Sequence, residues 1–548
     1  MDRRLRRPSS RPLPRIASAA ALSIGLLAGV AGTTAAADFA PRDSAYHTYA
    51  EMVTEIQAVA AAHPDIVEVH SIGKSYQGRD IWIAKISDNV ATDEAEPEIL
   101  FDALHHAREH LTLEQALYAL HMLADGYGTD ATVANLVDNR EVWIIFDVNP
   151  DGAEYDLTCT HSAKPPYCAW RKNRQRNAGT SAVGTDINRN YGYRWGCCGG
   201  SSGHASSLNY RGRAPWSTPE ARVVRDFVNS RVVGGIQQIK AHVTLHTNGQ
   251  LILWPYGYTK ANVPSDMTAV DHNTFVAMGR RTAALNGYKA EQSSDLYITD
   301  GDEIDWMYGV HRIFSFTWEL YPPETATVWG DHYPPDERIA PQTARNRSAL
   351  LYVIDIGGCP YRAIAKTTAL CGPFYDDMEI SRGWQRNPDG TDTATRGAWS
   401  RSNPSATSSR GFRMQLGTAY SGSKDLVTGG PAGASANSYD LDGTTTIRSV
   451  PIQLPATTGP LSFVYYFAHN ATSSSSDYFR VYVEAGGTRT QVYQELGRRR
   501  FDAARWARLT LPLSAWAGQS VQIVFKAADR GTGSLVEAAV DDVRIQRP

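Results

Sequence analysis

Charge of one sign is what this 548-residue chain most lacks. Lys and Arg number 54 against 57 Asp and Glu, a formal net charge of −3, and no long block of one sign occurs. Neither nucleic acid nor an anionic membrane surface is therefore expected as a partner. Long apolar runs are equally scarce. Only residues 16–32 form one, and nothing after it could cross a bilayer. Cysteine is sparse as well: Cys159, Cys168, Cys197, Cys198, Cys359 and Cys371 are too irregularly spaced for a Cys-rich zinc module. No internal repeat is present. Disorder is excluded by 42% hydrophobic and 20% charged residues.

The one apolar run lies where a targeting segment belongs. Arg3, Arg4, Arg6 and Arg7 precede it, and Thr34-Ala35-Ala36-Ala37 supplies small residues after it. This order predicts a secretory signal peptide over residues 1–37 and a mature start near Asp38. A membrane anchor fits less well, because the run is short and rich in Ala and Gly. A twin-arginine signal fits less well too, because of the residues following the arginine pairs. An exported chain with an even number of cysteines is expected to form disulfides. Cys359 and Cys371 are expected to pair within one connecting segment. Cys159 could bond Cys168, or either could bond Cys197 or Cys198.

Length predicts more than one domain. Between residues 46 and 356, short apolar runs at 83–86, 99–103, 142–148, 242–245 and 312–320 alternate with amphipathic patterns at 112–125, 218–229 and 342–356. Strands alternating with helices predict an α/β domain with a mostly buried sheet. Thr218-Pro219 reads as an N-cap followed by Pro at the first helical position. After Cys371 helical patterns cease. Short strands at 461–467, 478–483, 507–513, 521–525 and 540–545 alternate with Gly, Ser and Thr clusters, which predicts an all-β sandwich or jelly roll. The expected division is a catalytic domain at 38–357, a linker at 358–373 and a β domain at 374–548.

Chemistry concentrates at His105-His106-Ala107-Arg108-Glu109-His110, between a strand and a helix. Sites in α/β sheets form at the carboxyl ends of strands, and a His and a Glu three apart in such a turn can aim at one zinc ion. Two arrangements are open. His106, Glu109 and His110 match an inverted zincin motif with Glu109 as base. Alternatively only His106 and Glu109 are ligands, and a third lies far downstream. His246, at the end of the run 242–245 and before the aromatic stretch 251–258, is the candidate. Glu319, alone among the aromatics of 314–320, is a candidate base, since a carboxylate there needs a partner or a task. Arg171, and Arg189 with Asn188, are candidates for binding carboxylates through the guanidinium fork.

In order along the chain, His106-x-x-Glu109, Trp170-Arg171-Lys172, Asp186-x-Asn188-Arg189-Asn190, His246 before 254–258, Tyr297, 304–306 and 316–320 resemble the zinc carboxypeptidases of the A/B type. The likeness covers residues 46–356. It implies one zinc per chain held by His106, Glu109 and His246, with Glu319 as general base and Arg171 stabilising the oxyanion. Asn188, Arg189 and Tyr297 would hold the substrate's terminal carboxylate, and Arg108 would touch the substrate further from the cut. The substrates implied are C-terminal ends of peptides and proteins, processed by a secreted monomer. Gly257, Gln292, Leu296, Thr299, Asp302, Ile304 and Thr317 would line the side-chain pocket. Ile304 favours apolar and aromatic ends, while Asp302 and Glu303 would favour basic ones unless both face solvent. Two positions depart from the animal enzymes: His110 replaces a bulky aromatic, and Asn248 replaces another. Only about eight residues separate the expected signal cleavage from Tyr46, so an activating pro-domain is not expected.

The β domain resembles jelly-roll modules of secreted bacterial proteases, through 375–379 and 540–544. That resemblance implies binding of carbohydrate, cell surface or calcium, or a role in folding and secretion alone. Two rival functions are weighed: a zinc hydrolase of N-acylated amino acids with the same core, and a catalytically dead binding protein of the same fold.

Overall fold

A computed structural model describes residues 38–94, 96–160, 166–233, 236–325, 327–366, 370–379, 381–430, 436–437, 439–531 and 533–546. The expected signal peptide lies outside them. Among the described residues, no helix is long and apolar enough to cross a membrane.

Eight strands form the first sheet: β1 Val67–Lys74, β2 Asp80–Ile86, β3 Glu98–Asp102, β4 Glu141–Ile145, β5 Ile239–Thr247, β6 Leu251–Trp254, β7 Lys289–Gln292 and β8 Phe314–Leu320. Their spatial order is β1-β2-β4-β3-β5-β8-β6-β7. The centre, from β4 through β3 and β5 to β8, is parallel. Residues of β3 and β4 are buried throughout, the pattern of a parallel sheet covered on both faces. One face packs on helices Leu111–Ala124 and Arg347–Gly357, the other on Pro219–Ser230 and Glu303–His311. The parallel order brings the carboxyl ends of β3, β5 and β8 to one edge, where ligands collect in such sheets.

Local chemistry explains the element ends. Thr218 accepts from the Ala221 amide at 3.3 Å and Pro219 begins the helix. The single helix expected over 342–356 is instead two, Ile339–Arg345 and Arg347–Gly357. Asn346 separates them. Its side chain bonds Gln115 Oε1 at 2.8 Å and the Gln342 carbonyl at 3.2 Å, so it competes with the helical ladder. The expected run 312–320 starts two residues later, because Arg312 takes a left-handed conformation (φ 57°) that ends the preceding helix.

From Phe374 onward, antiparallel sheets replace the helical layers. In one, Ser400–Ser402, Asp425–Val427, Val536–Ile545, Leu461–His469 and Ala507–Leu511 run in that spatial order. In the other, the order is Gln385–Arg386, Gly443–Arg448, Ser520–Asp529, Tyr478–Ala485 and Thr488–Leu496. Phe463, Phe479, Phe525 and Val540 pack between them as a shared apolar core, so this region is an all-β sandwich. Cys159 pairs with Cys168, Cys359 with Cys371, and Cys197 with its neighbour Cys198. Of the alternatives open in sequence for Cys159 and Cys168, their mutual pairing is the one formed, and the Cys197–Cys198 bond between neighbours was not among the pairings expected.

Candidate active site

Strand register sets the centre of the site. In the parallel pair β5 and β8, Glu319 lies directly across from His246. The loop leaving β3 carries His106 and Glu109 to the same edge before the helix Leu111–Ala124 begins. Glu109 Oε1 lies 2.9 Å from His106 Nδ1, and Oε2 lies 3.0 Å from His246 Nδ1. The two Nδ1 atoms are 3.1 Å apart. All three side chains are buried.

This set fits a cation. His106 Nε2 faces Asp186 Oδ1 at 3.2 Å. Donation to that carboxylate keeps the proton on Nε2 and leaves a lone pair on Nδ1. That lone pair points at a carboxylate and at a second imidazole nitrogen. Converging lone pairs repel unless a positive charge sits among them. Burial pushes His246 down to about 4, so it stays neutral and able to ligate. Burial would raise Glu109, but His106 and His246 outweigh it and hold the carboxyl well below its usual range.

His110 takes no part. Its Nε2 bonds Asp156 Oδ2 at 3.0 Å, and its ring meets Phe39 edge-on at 4.9 Å. The turn of chain after Glu109 therefore aims His110 at a different carboxylate and away from the His106–Glu109–His246 cluster.

Asp186 ties the metal set to the arginines. Its Oδ2 accepts from both Nε and Nη2 of Arg171 at 3.0 Å. Burial opposes its charge, yet Arg171 and His106 prevail and keep it well below the carboxylate range. The motif containing Asp186 was legible in sequence, but its task of orienting both His106 and Arg171 was not. The only signal was an N-cap residue before Asn188: Asp186 caps the short turn Ile187–Arg189.

That turn presents Asn188 and Arg189. Arg189 is buried, and its guanidinium is braced by the Asn188 carbonyl at 2.6 Å and the Gly200 carbonyl at 3.3 Å. Tyr297 stands half-exposed at the rim, its ring 6.0 Å from that guanidinium. One cavity is lined by His106, Asn188, Arg189, His246, Leu253, Ser293, Leu296, Tyr297, Thr299, Asp302, Thr317 and Glu319. Among the described residues, Glu319 has no hydrogen-bonded partner of opposite charge. Burial and the nearby Glu109 push its carboxyl well above the usual range, with Arg171 and Arg189 opposing.

Several pocket residues inferred by resemblance are placed differently. Ile304 is buried at 2% exposure and does not line the cavity. Gln292 is turned inward to the carbonyls of Tyr256 and Thr259, both at 2.9 Å. Gly257 lies behind the lining, where a Cβ would overlap Thr299 Oγ1. Arg108, inferred to meet the substrate further from the cut and not to line this pocket, is half-buried and lies outside the lining. Asp302 and Glu303 do not face solvent, as one reading allowed: both are buried. They differ in direction. Asp302 lines the cavity, accepts from Thr299 Oγ1 and caps the next helix through the Asp305 amide at 3.0 Å. Glu303 points away, to Tyr191 Oη at 3.1 Å. Asn248 bonds Asp331 at 3.2 Å.

Comparison with known proteins accords with this arrangement. The zinc carboxypeptidase family profile matches residues 52–349. A zinc carboxypeptidase of Saccharothrix mutabilis subsp. capreolus is 50% identical over 330 residues, 60% of this chain and 74% of that one. Carboxypeptidase A1 of Sus scrofa is 33% identical over 295 residues, 53% of this chain, and the match spans 65% of that relative's length. The crystal structure of thrombin activatable fibrinolysis inhibitor aligns with a TM-score of 0.50 at 27% identity, over 57% of this chain and 74% of that one.

Proposed function

The chain belongs to the zinc carboxypeptidase family, and from that premise we propose that it removes single residues from peptide C-termini, with His106, Glu109 and His246 as its zinc ligands. The observation that carries this reading is the convergence of two imidazole nitrogens and one carboxylate beside a cavity that also holds a buried arginine. The buried Arg189 supports recognition of a free carboxylate, and the three ligands together with Glu319 and Arg171 favour an enzyme over a dead binding protein, while Tyr297 and the aromatic stretch after His246 favour a carboxypeptidase over a hydrolase of N-acylated amino acids.

When bound there, zinc supplies a Lewis acid that lowers the pKa of a coordinated water to roughly 7. Glu319 takes a proton from water and returns it to the leaving amine. Arg171, oriented by Asp186, faces the oxygen on which negative charge develops. Asn188 and Arg189 grip the terminal carboxylate, Tyr297 closes from the rim, and Arg108 meets residues further from the cut. The side-chain pocket runs between Leu253, Leu296, Thr317 and Asp302. Apolar walls with one buried acid support acceptance of apolar, aromatic and basic end residues. Three disulfides together with the arginine-led apolar N-terminus support export. The β sandwich is read as an accessory module, and the enzyme as a monomer.

Two results test the assignment. Blocked dipeptides with free and amidated C-termini, assayed side by side, should differ by at least two orders of magnitude in rate. Equal cleavage of both would remove the carboxypeptidase reading whatever the metal content. Metal analysis after dialysis tests the ligand set. His246→Ala should lose zinc sharply while His110→Ala retains it, and the opposite ranking would restore His110 as the ligand.

A further inference from the structure

Arg189 can grip a carboxylate only while its guanidinium is held toward the cavity, and part of that hold comes from a neighbouring loop. Its Nε donates to the Gly200 carbonyl at 3.3 Å and its Nη1 to the Asn188 carbonyl at 2.6 Å. Hydrogens on Nη1 and Nη2 remain for a ligand. The Gly200 carbonyl fixes the direction in which they point, so whatever holds Gly200 in place also aims Arg189.

The cysteines of this loop do not hold it. Cys197 and Cys198 bond each other, and a disulfide between neighbours closes no loop onto the rest of the fold. Arg211 Nη1 donates to the Ser201 carbonyl at 3.3 Å, and the Ser202 amide to the Asn209 carbonyl at 3.0 Å. Both contacts lie inside one excursion of chain, 194–211. The outward anchor is Asp300. Its Oδ2 accepts from the amides of Cys198 and Gly200 at 3.0 and 2.9 Å, and its Oδ1 accepts from the Ser201 hydroxyl. Asp300 is fully buried, and all three of these donors sit on the one loop. A buried carboxylate is costly unless hydrogen-bonded, and bonds to a charged acceptor are the stronger kind. The loop also comes very close: a Cβ on Gly200 would overlap the Thr299 backbone, so glycine is required there.

The segment around Asp300 orients the rest of the grip too. The Glu303 amide donates to Asn188 Oδ1 at 3.0 Å, which leaves Asn188 Nδ2 on the side of His246. The Tyr191 amide donates to the Gly301 carbonyl at 2.9 Å. Tyr297 stands three residues before Asp300. Asp300 itself does not line the cavity, unlike Asp302. Its side chain points to the loop, and its influence on a ligand passes through Gly200 and Arg189.

We propose that Asp300 is a positioning residue for terminal-carboxylate recognition, anchoring the loop 198–201 so that Gly200 aims the Arg189 guanidinium into the cavity. This rests on the carboxypeptidase reading given above.

Full-length, zinc-loaded protein is the material for the test. Asp300→Ala should lower kcat/KM on a blocked dipeptide with a free C-terminus by roughly tenfold, about the worth of one hydrogen bond. The loss should fall chiefly on KM, with zinc content and the slow cleavage of the amidated dipeptide unchanged. Asp300→Asn should restore most of it, since one oxygen can serve both amides while the NH2 group donates to the Ser201 hydroxyl. A merely structural role predicts that free-acid and amide cleavage fall together, and that result overturns the proposal. If Asp300→Ala does not fold, Gly200→Ala, which forces the same loop away from Thr299, should show the same selective loss, and an unchanged ratio of free-acid to amide cleavage there overturns it. Equal cleavage of both substrates by the unsubstituted protein overturns the carboxypeptidase reading and this proposal together. A preference for free acids that survives intact in folded Asp300→Ala overturns this proposal alone.

Discussion

Glu319→Gln should lower kcat on a free-acid dipeptide by about 10³-fold and leave KM within a few-fold of its original value, since general acid–base groups contribute roughly 10² to 10⁴. Glutamine keeps the shape of the side chain and removes only the proton-accepting oxygen. Stability should move the other way. Glu319 is packed near the buried Glu109 with no hydrogen-bonded counter-ion among the described residues, and burial raises its pKa. An uncharged side chain there relieves like-charge repulsion, so the variant should melt no lower than the parent. Groups serving function are often destabilising where they stand. Unchanged zinc content, lost turnover and an equal or higher Tm together identify a base. Turnover within tenfold of the parent would refute that role. A large fall in Tm would mean that Glu319 is a structural ion-pair partner.

The fold class was legible because period and texture carry it. Residues 99–103 and 242–245 read as buried runs because β3 and β5 lie at the centre of a covered parallel sheet. The ends were less legible. Asn346 breaks a helix through side-chain bonds to Gln115 and Gln342, and Gln115 is 231 positions away in sequence. Helix Ala269–Asn286 escaped detection because apolar and polar residues are nearly evenly spread around it. For the site, order along the chain named His106, Glu109, His246, Arg189 and Glu319, but no spacing rule separates His246 from His110 as third partner. Register does, by laying β5 beside β3, whose following loop carries His106 and Glu109. The pocket was least legible. Asp302 and Glu303 are adjacent, and only the start of a helix between them decides that one lines the cavity and the other points to Tyr191.

Arg189→Ala should reduce kcat/KM on free-acid substrates by roughly 10² to 10³, because removing one partner of a desolvated charge pair costs about 2–5 kcal/mol. Amidated substrates never engage that charge, so their slow cleavage should hardly change. The ratio between free acid and amide should therefore collapse toward one. Arg189→Lys should recover part of the loss, since an ammonium keeps the charge but not the two parallel bonds. A second role for Arg189 predicts something different. Its guanidinium also braces the turn Ile187–Arg189 through the Asn188 carbonyl and reaches the Gly200 carbonyl. Asn188 Nδ2 lies 3.4 Å from His246 Nε2. Were bracing its main task, removal would loosen the turn, disturb His246 and lower zinc content, and free-acid and amide cleavage would fall together. Zinc content and the free-acid to amide ratio, measured on the same preparation, decide between a carboxylate grip and a strut. Retained zinc with a collapsed ratio marks the grip. Lost zinc with an intact ratio marks the strut and leaves terminal carboxylate recognition to Asn188 and Tyr297.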